Sequence, residues 1–242
     1  MNYISGENDF KKYYTKHLGG NSMDLHNFEA NAMVSAQTPA ILERSPMQGN
    51  LISVFDRLMA DRIIFVNGAV GDYMCNVINA QLMYLDTSAD ENGETDIQMY
   101  INSPGGSVYA GLSTVDAVNM CEADVLTSLK GMGASMGSIF IGMGKKGERS
   151  MTRFSKVMLH QSSGGFSGNI QDAEISMAEW KDLNETLLGL LAGYCDRDIE
   201  EIRTKSSRDL WLNAKQALEL GIVDKVYYDN KTVYTKADLK KF

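Results

Sequence analysis

The stretch "SLKGMGASMGSIFIGMG", residues 128–144, runs from an apolar strand through closely spaced glycines into an apolar helix, with Ser135 at the switch. A serine there has two uses. It is a small residue that lets the helix pack closely, or a hydroxyl held at a helix N-terminus, where outward-facing N–H groups favour developing negative charge. The same glycines resemble a phosphate-cradling loop. However, the G-x-G at 131–133 continues as G-x-x-x-G, lies deep in the chain, and lacks the acidic residue expected about 20 positions further on. A nucleotide site is the weaker reading.

Working outward, strand–turn–helix recurs. A helical pattern begins at "LISVFDRLMADR" from Leu51, followed by a strand at 63–66 and a helix at 73–85. A loop at 86–96 follows, then strand 96–101, the turn "NSPGGS", helix 108–121 and strand 124–129. After the serine helix come strand 156–160, a long helix at 171–193, a short one at 198–205, and a helix at 214–220 with Asn213 as N-cap and Gly221 as stop. A strand at 222–228 closes the series. This order predicts an α/β domain with largely parallel strands and functional loops at their carboxyl ends. Residues 1 to about 50 are polar and aperiodic, read as an extension or flexible arm, with 51–230 as the folded domain and 231–242 as a short tail.

Composition narrows the function classes. The net charge is −8 and no basic run exceeds short pairs such as Lys145-Lys146, which disfavours nucleic acid and anionic membranes as partners. No apolar run approaches the length of a membrane span, and a cytoplasmic protein is expected. Cys75, Cys121 and Cys195 are odd in number and far apart, so they imply neither a zinc site nor a disulfide framework. No metal or cofactor site is expected.

A serine nucleophile needs a base, because a free hydroxyl attacks poorly. His17 and His26 lie in the arm. That leaves His160, at the end of "SKVMLH" beside the strand that delivers Ser135. A base needs a carboxylate to set its tautomer. Among 31 acids spacing cannot choose one, but Asp209 in "RDLWLNA" adjoins an apolar patch that would partly desolvate it; pairing with Arg203 or Arg208 is the plain alternative. Backbone N–H groups for an oxyanion are offered by Met136, just after the serine, and by the glycines of "SPGG", residues 103–106.

With those residues in place the chain resembles the family of proteolytic subunits of Clp protease (ClpP). "YINSPGGSVYAG" (100–111), "GASMGS" (133–138), "MLHQ" (158–161) and "RDLWLNAKQALELGIVD" (208–224) match the family's motifs in order, across roughly 51–228. The resemblance implies a crotonase-like fold of repeated strand-strand-helix units with a protruding helical handle. It implies a serine endopeptidase with Ser135 as nucleophile, His160 as base, Asp209 as orienting acid, and Gly106 and Met136 as oxyanion donors. It further implies a homo-oligomer of two stacked heptameric rings degrading unfolded polypeptides, fed by an AAA+ unfoldase that alone uses ATP. It makes residues 1–36 an N-terminal arm or propeptide with a self-processing cut between about Met33 and Pro39, and residues 37–50 an axial-loop segment at the pore where the unfoldase docks. A catalytically silent subunit of a mixed ring and a crotonase-fold acyl-CoA enzyme are the alternatives. The chain departs from the family pattern at Ser162, where proline is usual after His-Gln, at "ERSMTRFSK" (148–156), at "VNGAVGD" (66–72), in the long loop 86–96 and in the length of the arm.

Overall fold

Along Ile97–Ser103 the side chains alternate between buried and half-exposed, with Ile97, Met99 and Ile101 sealed from solvent. That period of two means a sheet with one covered face. The computed structural model describes residues 40–44, 49–88, 93, 95–162 and 169–241 of the 242-residue chain. The proposed propeptide and its cut lie outside the described residues. Two compact units are present, Met1–Met59 and Ala60–Phe242.

In the first unit β1 (Ala40–Arg44) pairs antiparallel with β2 (Gly49–Ser53), Ala40 opposite Ser53. Strand structure therefore occupies part of the segment read as a loop, and extends past Leu51 into the expected helix. Pairing with a neighbour outweighs helical spacing over these few residues. The helix α1 (Val54–Ala60) starts only after Ser53, whose Oγ accepts from the Asp56 N–H at 3.0 Å while its own N–H donates to the Asp56 carboxylate at 3.3 Å. That reciprocal cap sets the helix start.

The second unit is built on a sheet with strand order β10-β9-β6-β5-β4-β3 and two more strands branching from β5. Its elements are β3 (Ile63–Asn67), α2 (Asp72–Asp86), β4 (Ile97–Ser103), α3 (Val108–Met120), β5 (Val125–Ala134), α4 (Met136–Gly142), β6 (Ser150–Thr152) and β7 (Lys156–Leu159). They continue as α5 (Ile170–Cys195), α6 (Ile199–Lys205), β8 (Leu210–Leu212), α7 (Ala214–Leu220), β9 (Lys225–Tyr227), β10 (Val233–Thr235) and a closing 3-10 turn, Lys236–Lys241. β3, β4, β5 and β6 run parallel, as the α/β expectation requires. The short strand β6 carries no periodicity of its own. β10 pairs antiparallel with β9, so the segment read as a tail adds an edge strand.

β5 changes partners halfway. Ser128 and Leu129 pair with β6, while Met132–Ala134 pair with β7. Gly131 and Gly133, whose spacing resembles a phosphate loop, are thus part of the strand itself. The core between sheet and helices is filled by Ile64, Met99, Leu129, Phe140, Ile141 and Val157, all essentially inaccessible. The long helix α5 is two different things along its length. Its C-terminal half buries Leu188, Leu191, Ala192 and Cys195, whereas Ile170, Ile175 and Met177 near its start are exposed.

Arg149, only 2% exposed, ties the sheet to the helix ends. Its guanidinium meets Asp224 with two bonds of 2.7 Å and donates to the carbonyls of Tyr194, at the end of α5, and Gly221, just past α7. Burial alone would raise the Asp224 pKa, but Arg149 and the N–H groups of Gly147 and Arg149 hold it below the ordinary carboxylate value. Breaking such a pair leaves a buried charge alone, so Asp224→Asn should cost about 3 kcal/mol. A depressed carboxylate contributes stability above its unfolded pKa, about 3.9, and loses it as pH falls further. Thermal unfolding from pH 7 to 3 should therefore show a shallower acid loss in Asp224→Asn than in wild type; parallel curves would mean that the pair adds nothing.

Candidate active site

Ser135 lies in a conformation that non-glycine residues rarely adopt, φ 54° and ψ −123°, between the end of β5 and the first turn of α4. Such strain costs on the order of 1–3 kcal/mol and persists only where the surroundings fix it. They do so on both sides. The Ser135 N–H donates to the Met158 carbonyl of β7 at 3.0 Å, and its carbonyl accepts from the Ser138 N–H at 2.9 Å and from Ser138 Oγ at 2.6 Å. The hydroxyl itself makes no cap bond to the helix. Of the two sequence readings of this serine, the turn favours a presented hydroxyl, since close packing needs no positive φ.

The turn after β4 approaches this backbone from the side. A Cβ placed on Gly105 would lie 2.6 Å from the Ala134 carbonyl oxygen and 2.6 Å from the Ser135 Cβ. A Cβ on Gly106 would lie 2.2 Å from the Val70 carbonyl oxygen. Val70 and Gly106 form an isolated parallel bridge, in which Val70 N–H donates to Gly105 O and Ser107 N–H donates to Val70 O, both at 2.9 Å. That pattern turns the Gly106 N–H away from Val70. Asn102 and Ser103 hold the turn: Asn102 accepts from the Met132 N–H at 3.1 Å, and Ser103 Oγ donates to Gly68 O at 2.6 Å while accepting from Gly105 N–H at 3.1 Å. Both sit inside the quoted motif, yet side-chain bonds between separate strands have no signature in a linear sequence.

His160 follows β7 and is a quarter exposed. β7 pairs antiparallel with β8, Leu159 opposite Leu210, so one further step along each strand sets His160 across from Asp209. His160 Nδ1 and Asp209 Oδ1 are 3.7 Å apart, beyond a hydrogen bond. Asp209 is 65% exposed and not desolvated as expected, because β8 pairs only with β7 and its Trp211 is itself half exposed. Nor is Arg203 its partner, since that guanidinium binds Glu185 and Glu200.

Ser135, Met136, His160 and Gly106 line one cavity of about 70 Å³. Its remaining wall is mostly apolar, with Val108, Ile139, Leu187 and Leu191, and none of its lining residues is acidic. Leu187 and Leu191 bring α5 into the site, which the apolar spacing of that helix alone did not reveal. Ser162, the departure after the histidine, also lines the cavity, and its N–H donates to Asn184 Oδ1 of α5 at 3.2 Å. A proline there could not make that bond. Among the described residues no group of three or more His, Cys, Asp or Glu side chains could hold a metal, and no helix is long and apolar enough to cross a membrane.

The family model "Clp protease" matches residues 47–230. A protein of Porphyromonas gingivalis named ATP-dependent Clp protease proteolytic subunit is 41% identical over 93% of this chain and 99% of its own length. Proteins of the same name from Bacteroides fragilis and Bacteroides thetaiotaomicron are each 42% identical over 90% of this chain and 97% of theirs. Together with the α/β fold and the presented serine, these matches show that the chain belongs to the Clp protease family, a family of serine-type peptidases with a crotonase-like fold.

Proposed function

We propose that Ser135, His160 and Asp209 are the catalytic triad of a serine endopeptidase and that the N–H groups of Gly106 and Met136 are its oxyanion hole. One observation carries this reading: a strained, uncapped serine and the domain's only histidine line the same small cavity. With Nδ1 towards Asp209, His160 has Nε2 left to take the Ser135 proton as Oγ attacks the scissile carbonyl. The oxyanion forms beside Met136, the first residue of α4, whose N–H has no partner within the helix. His160 then protonates the leaving amine, and water releases the acyl group by the reverse path. Every group involved belongs to the chain, so the reaction needs no cofactor of its own. The 3.7 Å gap to Asp209 closes in the working enzyme, as is common for catalytic bonds that are loose in free sites. The apolar cavity wall suits an aliphatic side chain next to the scissile bond.

An acyl-CoA enzyme would want a carboxylate in this cavity, and its lining has none. A silent subunit would have no reason to hold Ser135 in a strained turn. The relatives carry "ATP-dependent" in their name, whereas the glycine run of this chain is spent in β5 and its turn. We therefore assign ATP use to a separate AAA+ unfoldase that feeds unfolded polypeptides to this subunit in the cytoplasm. Assembly into two stacked heptameric rings is supported by apolar side chains left exposed: Tyr73, Met83 and Tyr84 on α2, and Ile170 and Ile175 on α5. Enclosure would keep the site from folded neighbours.

Ser135→Ala and His160→Ala should each lower peptide turnover by about 10⁴-fold or more, with Asp209→Asn nearly as severe. A fluorophosphonate probe should label Ser135 in wild type only, and near-normal turnover in either alanine variant would refute the triad. Gly105→Ala forces a Cβ against the Ser135 turn and should cost at least about tenfold in kcat while the sheet still folds, as far-UV circular dichroism would report. Light scattering should give a mass near fourteen chains for the active enzyme; a fully active monomer would exclude the rings.

A further inference from the structure

A groove of about 910 Å³ opens beside the catalytic cavity and shares Gly106 and Val108 with it. Its far wall is the N-terminal half of α5, and among its lining residues none is cationic while two are acidic, Glu179 and Asp182. Tyr109 Oη donates to Glu179 Oε1 at 2.5 Å, which ties the first turn of α3 to α5 and fixes one carboxylate against the groove. Asp182 forms no ion pair with the described residues. Trp180 lines the groove beside both acids.

A polypeptide whose scissile bond lies at Ser135 continues on both sides of it, and the groove leads directly from the cavity. α5 supplies a ruler. Leu187 lines the cavity, and at 1.5 Å per helical residue Asp182 lies about 8 Å and Glu179 about 12 Å further along. An extended peptide advances about 3.3 Å per residue, so the two carboxylates face positions roughly two to four residues from the cleaved one. We infer that this groove is a substrate subsite in which Glu179 and Asp182 select lysine or arginine two to four residues from an apolar cleavage position. The carboxylates attract a cationic head, the Trp180 ring offers it a cation–π face, and the apolar stem packs on Val108 and Leu183. An acidic substrate residue meets two like charges instead. The inference rests on the peptidase reading above and adds the substrate class.

The test uses the full-length assembled protein and internally quenched peptides that carry a single leucine at the cleavage position. Lysine, glutamine or glutamate is placed two, three or four residues away on either side, and the readout is the lysine-to-glutamate ratio of kcat/KM. The ratio is internal to each variant, so general losses of activity cancel. Wild type should favour lysine by about tenfold at one or more positions, as two weakly screened pairs would give, and 0.5 M salt should reduce that preference. In the Glu179→Gln, Asp182→Asn double variant the ratio should fall below about twofold. A wild-type ratio near one at every position overturns the subsite, and so does a preference that survives the double substitution, which would then come from the overall negative charge of the chain. Cleavage of the glutamine peptides by wild type but not by Ser135→Ala reports the peptidase itself. If those peptides stay intact, the peptidase reading falls and the subsite with it.

Discussion

Two backbones meet at Gly105 and Ser135 without side chains between them, and the rest of the site is arranged around that contact. Ala134 and Ser135 turn out of β5 with a positive φ at the serine, and the turn after β4 lies against them at a distance that a single Cβ would abolish. Gly137 repeats the theme two residues on, where a Cβ would stand 2.6 Å from the Ser103 carbonyl oxygen. Because β4 and β5 are parallel neighbours, both chain ends leave the sheet on the same side. One carries Gly106 and the other Ser135 and Met136, and all three line the same cavity. Strain at Ser135 is sustained because it is shared among β7, α4 and this turn.

The remaining groups arrive by register. β5 is long enough to hold β6 with its middle and β7 with its end, and this branching brings His160 level with the serine turn. β8 then adds antiparallel to β7 and carries Asp209 to the histidine. Since β8 is a three-residue edge strand, it is the least supported part of the assembly of side chains, which fits the loose 3.7 Å approach and the exposure of Asp209.

The Arg149–Asp224 pair and α5 give the site its second wall. Arg149 fixes the carbonyl end of α5, so Leu187 and Leu191 keep their place in the cavity, while the N-terminal half of the helix, where Ile170, Ile175 and Met177 are exposed, forms one side of the acidic groove. Ser162 links the segment after His160 to the same helix through Asn184. A departure from the family pattern thus adds a contact at the site.

Much was legible in the sequence because it is local. The α/β order, the helix ends at Asn213 and Gly221 and the serine at a strand–helix switch follow from periodicity, capping and glycine chemistry within a few residues. His160 emerged as the sole histidine of the domain. Asp209 did not emerge from local chemistry, since 31 acids look alike until a fold pairs one with the imidazole; there the family motif, not the side chain, pointed to it. The strands β1, β2, β6 and β10, the Gly105 contact, the role of α5 and the acidic groove were decided by tertiary structure alone. Each depends on residues far apart in the chain meeting through backbone hydrogen bonds or steric fit, and a linear pattern records which groups are present but not which of them the fold sets within reach.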